Sequence, residues 1–228
     1  MDEIDKKIVS AMYVREMTEA LDEVRSEKAA LLKELRHRVS NNLQLMTSIV
    51  RLEFTASTEP GARKALMDTE RRLHALSITN GQFLNRQDAG KFELYSFMHD
   101  LASDFHSVYD PDSRALSISL SGQRIYLQMS AIAPLGIITG EIVSHALERA
   151  RAQAQRSRLD ISWEADVNGA LALSYCDTGG GLAEANLHNW GEPLGMIIIR
   201  TLAEQMEAKV SVANSSLGAV ITIELLPS

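Results

Sequence analysis

Glu34-Leu35-Arg36-His37-Arg38-Val39-Ser40-Asn41-Asn42-Leu43-Gln44 lies within a stretch, Ile4 to Glu53, that holds neither Pro nor Gly and is rich in Glu, Lys, Arg, Ala and Leu. Such a composition favours helix throughout. Apolar residues recur at Leu31, Leu35, Val39, Leu43, Met46 and Val50, with the spacing of one buried helical stripe. His37 falls beside that stripe, in a polar patch. An imidazole there can present a free ring nitrogen as a nucleophile toward phosphorus. Asn41 follows one helical turn later, close enough to orient the ring.

Upstream, Met17, Leu21, Val24, Lys28, Leu31 and Leu35 approximate a heptad seam interrupted by Lys28, which predicts a short coiled coil over residues 1–30. Downstream, Thr55 to Gly61 breaks the helix, with Ser57 or Thr58 as candidate N-cap and Pro60 tolerated in the next first turn. A second helix carries Leu66, Leu73, Leu76 and Phe83 on one face. Residues 31–88 therefore read as an antiparallel helical hairpin with too little apolar surface to form a core alone. A homodimeric four-helix bundle is the expected remedy.

After the linker Asn85 to Gly90 the pattern changes to alternating helices and strands. Helices are expected at Leu94 to Tyr109, Ala131 to Ala152 and Gly195 to Met206. Strands are expected at Leu116 to Leu120, Ile125 to Leu127, Leu159 to Glu164, Leu171 to Cys176, Lys209 to Ala213 and Ala219 to Leu225. The fold class is α+β: a helical hairpin followed, over residues 92–228, by a sandwich with helices on one face of a mixed sheet.

A chain of 228 residues with 45% hydrophobic content can bury the core of one or two domains. Its formal net charge of -7 argues against general nucleic-acid binding, which needs a concentrated positive surface. The lone Cys176 excludes an intrachain disulfide, and no Cys/His arrangement has zinc-site spacing. Met1 to Lys7 lacks the apolar core of a signal peptide, and no uncharged apolar stretch of about 18 residues occurs. The expectation is a cytoplasmic protein with no membrane segment.

The run His37-Arg38-Val39-Ser40-Asn41-Asn42-Leu43-Gln44 resembles the phosphoacceptor box HRVxNNLQ of a subfamily of two-component histidine kinases. The resemblance implies that His37 is the phosphoacceptor, Asn41 its orienting neighbour and Arg38 a cation near the phosphoryl group. A second resemblance lies in Asp177-Thr178-Gly179-Gly180-Gly181 after a strand, followed by Pro193-Leu194-Gly195 opening a helix. These are similar to the glycine boxes of the GHKL-type (Bergerat) ATPase fold. By that likeness Asp177 would contact the adenine amino group, Gly179 and Gly181 would shape the pocket, and Gly195 would lie near the phosphates at a helix N-terminus.

The third element of that fold, a helix approximating LGLIxNELVxNAxKHA, aligns with Leu135 to Ala150. Glu141 is kept. Gly140 and His145 stand where the family has asparagines, and Glu148 and Arg149 replace a Lys-His pair. Magnesium prefers hard oxygen ligands, so a histidine nitrogen is a poor substitute. Glu148 also adds negative charge near the expected phosphates.

The family resemblance thus implies phosphoryl transfer between His37 and the receiver aspartate of a response regulator, with magnesium supplied by the receiver or with ATP, and with ATP-dependent autophosphorylation impaired. One alternative is an active sensor kinase that phosphorylates His37 from ATP. Another is a non-catalytic protein that sequesters a receiver.

Overall fold

In the computed structural model, residues 3–84, 91–112, 115–153, 156–178, 194–215 and 218–226 are described. The Pro- and Gly-free stretch forms a single helix, α1 (Glu3–Ala56), unbroken across residue 30. Its 54 residues span about 80 Å at 1.5 Å per residue. The antiparallel α2 (Pro60–Leu84) has 25 residues, so the N-terminal half of α1 runs beyond it. Arg51 bonds Glu70 at 2.6 Å, and Arg63 Nη1 donates to the carbonyls of Phe54 and Ser57.

The structure corrects two expectations for the hairpin. The N-cap is Glu59, not Ser57 or Thr58: its carboxylate accepts from the N–H groups of Gly61 and Ala62. A carboxylate at that end also meets the positive pole of the helix. Secondly, the predicted stripe is only partly buried within one chain. Leu31, Leu35, Val39 and Met46 are 61%, 57%, 40% and 51% exposed. The face turned to α2 holds Leu43 and Val50 of that stripe together with Thr47 and Phe54, all half-buried.

The second unit begins with β1 (Lys91–Glu93), which periodicity did not predict and which pairs antiparallel with β3 (Tyr126–Gln128), one residue along from the strand expected at Ile125 to Leu127. The three residues of β1 carry too few alternations to register. Between them lie α3 (Leu94–Tyr109), capped by Glu93, and β2 (Leu116–Gly122). Then come α4 (Met129–Gln153), β4 (Ser157–Ala165), β5 (Leu171–Asp177), α5 (Leu194–Gln205), β6 (Ala208–Ser215) and β7 (Gly218–Leu225). The main sheet has the order β2-β4-β5-β7-β6, parallel only at β2-β4, and is therefore mixed as expected.

Burial alternates along β5, with Leu171, Leu173, Tyr175 and Asp177 turned inward. Leu171, Leu173 and Tyr175 meet Leu135, Ile138 and Ile142 of α4 and Phe97 and Leu101 of α3 in one apolar core. Transfer of such side chains from water contributes about 1.5–3 kcal/mol each. By length and composition α4 could cross a membrane, yet in this fold it is the central packed helix. It lies between the sheet and α2, and so carries residues into whatever space those two enclose.

Candidate functional site

A cavity of about 540 Å³ opens between α2, α4, the start of α5 and the ends of β5 and β7. Its size falls in the range of small-molecule sites. Asp177 and Tyr175 reach it from β5, Glu141, His145 and Arg149 from α4, Gly195 from α5, and Lys64, Asp68 and Arg72 from α2. Asp177 owes its place to the strand alternation, which turns it inward at the end of β5, only 7% exposed. Arg149 Nη1 lies 3.5 Å from Asp177 Oδ2. The close approach of β7 requires Gly218, whose φ is +144°; a Cβ there would stand 1.9 Å from the Asp177 carbonyl oxygen.

Glu141 is held from two sides. Arg72 Nε and Nη2 bond its two carboxylate oxygens at 2.6 and 3.1 Å, a bidentate pair with both side chains less than one-fifth exposed. At Gly195 a Cβ would come within 2.8 Å of Glu141 Oε2, so the carboxylate lies against the N-terminal end of α5. That end favours negative charge. Seven residues on, Glu148 receives Arg71 at 2.7 Å and Lys64 at 3.2 Å. Burial raises its carboxyl pKa, but the bonds from Arg71 and Lys64 outweigh that, and the net position is below the ordinary range. The negative charge expected from Glu148 is thus neutralised by α2.

His145 lines the same cavity, its pKa lowered first by desolvation and then by Arg149, although its ring reaches solvent through the opening. A neutral imidazole nitrogen and a guanidinium-paired carboxylate do not make the hard oxygen set that magnesium requires. The metal end of the site therefore does not fit that ion in this form, whereas a strand-end carboxylate on a cavity of this volume suits the amino group of a base. Gly179 and Gly181, and Pro193 with them, lie outside the described residues.

The phosphoacceptor box lies elsewhere. His37 and Asn41 are both exposed on α1, one turn apart. Arg38 donates to Glu34 Oε1 at 3.0 Å from Nε and 2.5 Å from Nη2, in a largely solvated pair one turn back. The register set by Arg51 and Glu70 puts His37 level with the last turn of α2. This is about 18 Å along the hairpin from Arg72, at 1.5 Å per residue. The structure groups Asp177, Glu141 and Gly195 around one cavity and leaves His37, Asn41 and Arg38 outside it.

Lys64, Arg71 and Arg72 were not singled out from sequence. Their only signal is a spacing of seven and eight residues that puts them on one face of α2, and a basic helical face ordinarily reads as solvated. His74 of α2 lies 3.1 Å from Asp104 of α3 and packs on Phe105 and Tyr109.

Residues 34–109 match the HisKA_2 family, described as histidine kinase. Among curated relatives, the sensor histidine kinase PdtaS of Mycolicibacterium smegmatis is 26% identical over 202 residues, covering 86% of this chain and 40% of that protein. The blue-light-activated histidine kinase 2 of Erythrobacter litoralis is 23% identical, covering 85% of this chain and 56% of that one. The chain thus spans between two-fifths and three-fifths of these relatives' lengths. Among solved structures, the Erythrobacter litoralis EL346 blue-light activated histidine kinase superposes with a TM-score of 0.62 at 18% identity, over 82% of this chain and 58% of that one. Its separate histidine kinase domain gives a TM-score of 0.58 at 18% identity, over 84% of this chain and 91% of that one. These likenesses carry the hairpin and the GHKL-type sandwich as a fold.

Proposed function

We propose that this chain, a two-component histidine kinase by sequence and fold, works as a phosphoryl carrier that exchanges a phosphoryl group between His37 and the receiver aspartate of a response regulator. A neutral imidazole nitrogen attacks the phosphorus of the receiver's aspartyl phosphate in line. The P–N bond forms as the P–O bond to the carboxylate breaks, and the electron pair leaves with the aspartate. The reverse step returns the group. Asn41 orients the ring and Arg38, released from Glu34, offers positive charge to the phosphoryl oxygens.

The observation that carries this reading is the exposure of His37 and Asn41 on a helix face away from the cavity, where a second protein can reach them. ATP-dependent autophosphorylation is impaired in this account because Glu141 is engaged by Arg72 and His145 is a poor magnesium ligand. Magnesium for the exchange comes with the receiver. A second copy of the chain covers exposed Leu45, Ile49 and Leu52 to complete a four-helix bundle. A reducing cytosol suits the single free thiol of Cys176.

The grouping of Asp177, Glu141 and Gly195 around one cavity favours a second reading, an active sensor kinase that phosphorylates His37 from ATP. In the test of the carrier reading, the full chain is incubated with receiver domains phosphorylated by acetyl phosphate, and its intact mass is followed. Transfer of one phosphoryl group per chain, absent in His37→Gln, is expected. Transfer that persists in His37→Gln would assign the acceptor to another residue.

A further inference from the structure

The α2–α4 contact has a form that the phosphoryl-carrier role does not require. Gly140 of α4 faces Ala75 of α2, which is fully buried; a Cβ on Gly140 would lie 3.2 Å from both Ala75 Cβ and Phe105 Cζ. A larger side chain at 140 would force the helices apart. The position where the related helix carries an asparagine is here a point of close contact between the helices. From that point the two antiparallel helices are joined by charge, Arg72 to Glu141 and then Arg71 and Lys64 to Glu148. Steric fit and ion pairing are independent features, and both hold α2 as one wall of the cavity.

We infer that this joint is a latch: Arg72 engages the Glu141 carboxylate and holds the hairpin closed on the cavity, so that nucleotide gains Glu141 only when α2 parts from α4. The inference rests on reading the cavity as a nucleotide site. Its logic is competition. A carboxylate bonded on both oxygens by one guanidinium has little capacity left for a ligand or its metal, and its position at the start of α5 places a resident anion where a phosphate would otherwise lie. Partly buried bidentate pairs are costly to break on one side only, which gives the closed form a defined strength and makes opening a two-state event. A signal that pulls the hairpin away from α4 would then regulate the site from a distance. Arg72 is a positioning residue in this scheme and touches no reacting atom.

The test uses the full-length chain, as wild type, Arg72→Gln and the exposed-site variant Lys64→Gln, with two readouts. Hydrogen exchange reads the joint without any ligand, and titration with ATP reads its consequence. Arg72→Gln should speed exchange across residues 60–72 and 141–149 and tighten ATP binding about tenfold, within the usual range of coupling between sites. Lys64→Gln should shift both in the same direction by a smaller factor. Unchanged exchange in both variants, or ATP binding no tighter in Arg72→Gln than in wild type when both bind, overturns the latch. Faster exchange with no ATP binding by any of the three proteins supports the latch and removes the nucleotide reading of the cavity.

Discussion

Glu148 shows how one side chain changes meaning with its neighbours. Isolated on α4 it would repel phosphates; between Arg71 and Lys64 it is an interdomain tie. Its folded pKa lies below the ordinary 4.5, so the folded state binds fewer protons than the unfolded one near that pH. The tie is therefore fully present above about pH 4.5 and is lost as pH falls through the lowered folded value. Thermal midpoints of wild type and Glu148→Gln should differ at neutral pH and converge as the pH falls below that point. His145 gives a functional counterpart. Replacing it by Asn restores an amide oxygen where the related helix has one, and the rate of His37 labelling from γ-labelled ATP should rise at least severalfold in His145→Asn. A fall in that rate would show that the imidazole is itself needed.

Along the elements, the junction of β5 and β7 sets the position of Asp177. Gly218→Ala would add strain at φ +144° and a clash with the Asp177 carbonyl, at a cost of about 3 kcal/mol from the two effects together. Denaturant unfolding should register that loss, and any base-binding at Asp177 should weaken with it. The helices and long strands of this region were legible because Leu171, Leu173 and Tyr175 alternate and Leu135, Ile138 and Ile142 repeat at helical spacing. Asp177, Glu141 and Gly195 were picked out as candidates by their resemblance to known boxes, and the structure brings the three to one cavity. What escaped was long-range pairing. Arg72 meets Glu141 across 69 residues of sequence, and no local pattern encodes that distance. Glu59 as a cap escaped because Ser and Thr, more usual at that position, lie immediately before it.

For the whole molecule, a second apolar row on α1, apart from the stripe read in the sequence, is the feature that one chain leaves unexplained. Leu45, Ile49 and Leu52 are 61%, 50% and 71% exposed on a helix that extends well past its partner α2. Exposed apolar area of this kind marks a contact surface. The double variant Leu45→Glu with Ile49→Glu should shift the mass measured by light scattering from dimer to monomer, while the sheet domain keeps its far-ultraviolet spectrum. A wild-type monomer at micromolar concentration would remove the bundle from the account. The same geometry separates the chemistry in space. His37 stands about 18 Å along the hairpin from Arg72, so on the proposed reading receiver exchange and nucleotide access are controlled apart.

The central claim is that His37 carries phosphoryl groups and that its efficient donor is a receiver rather than ATP. The most direct measurement compares initial rates of His37 labelling from phosphorylated receiver and from γ-labelled ATP with magnesium, in wild type and His37→Gln, under alkaline separation that preserves phosphohistidine. The account predicts labelling from the receiver at least a hundredfold faster than from ATP, and none from either donor in His37→Gln. Rapid stoichiometric labelling from ATP, or labelling that survives the substitution, would contradict it.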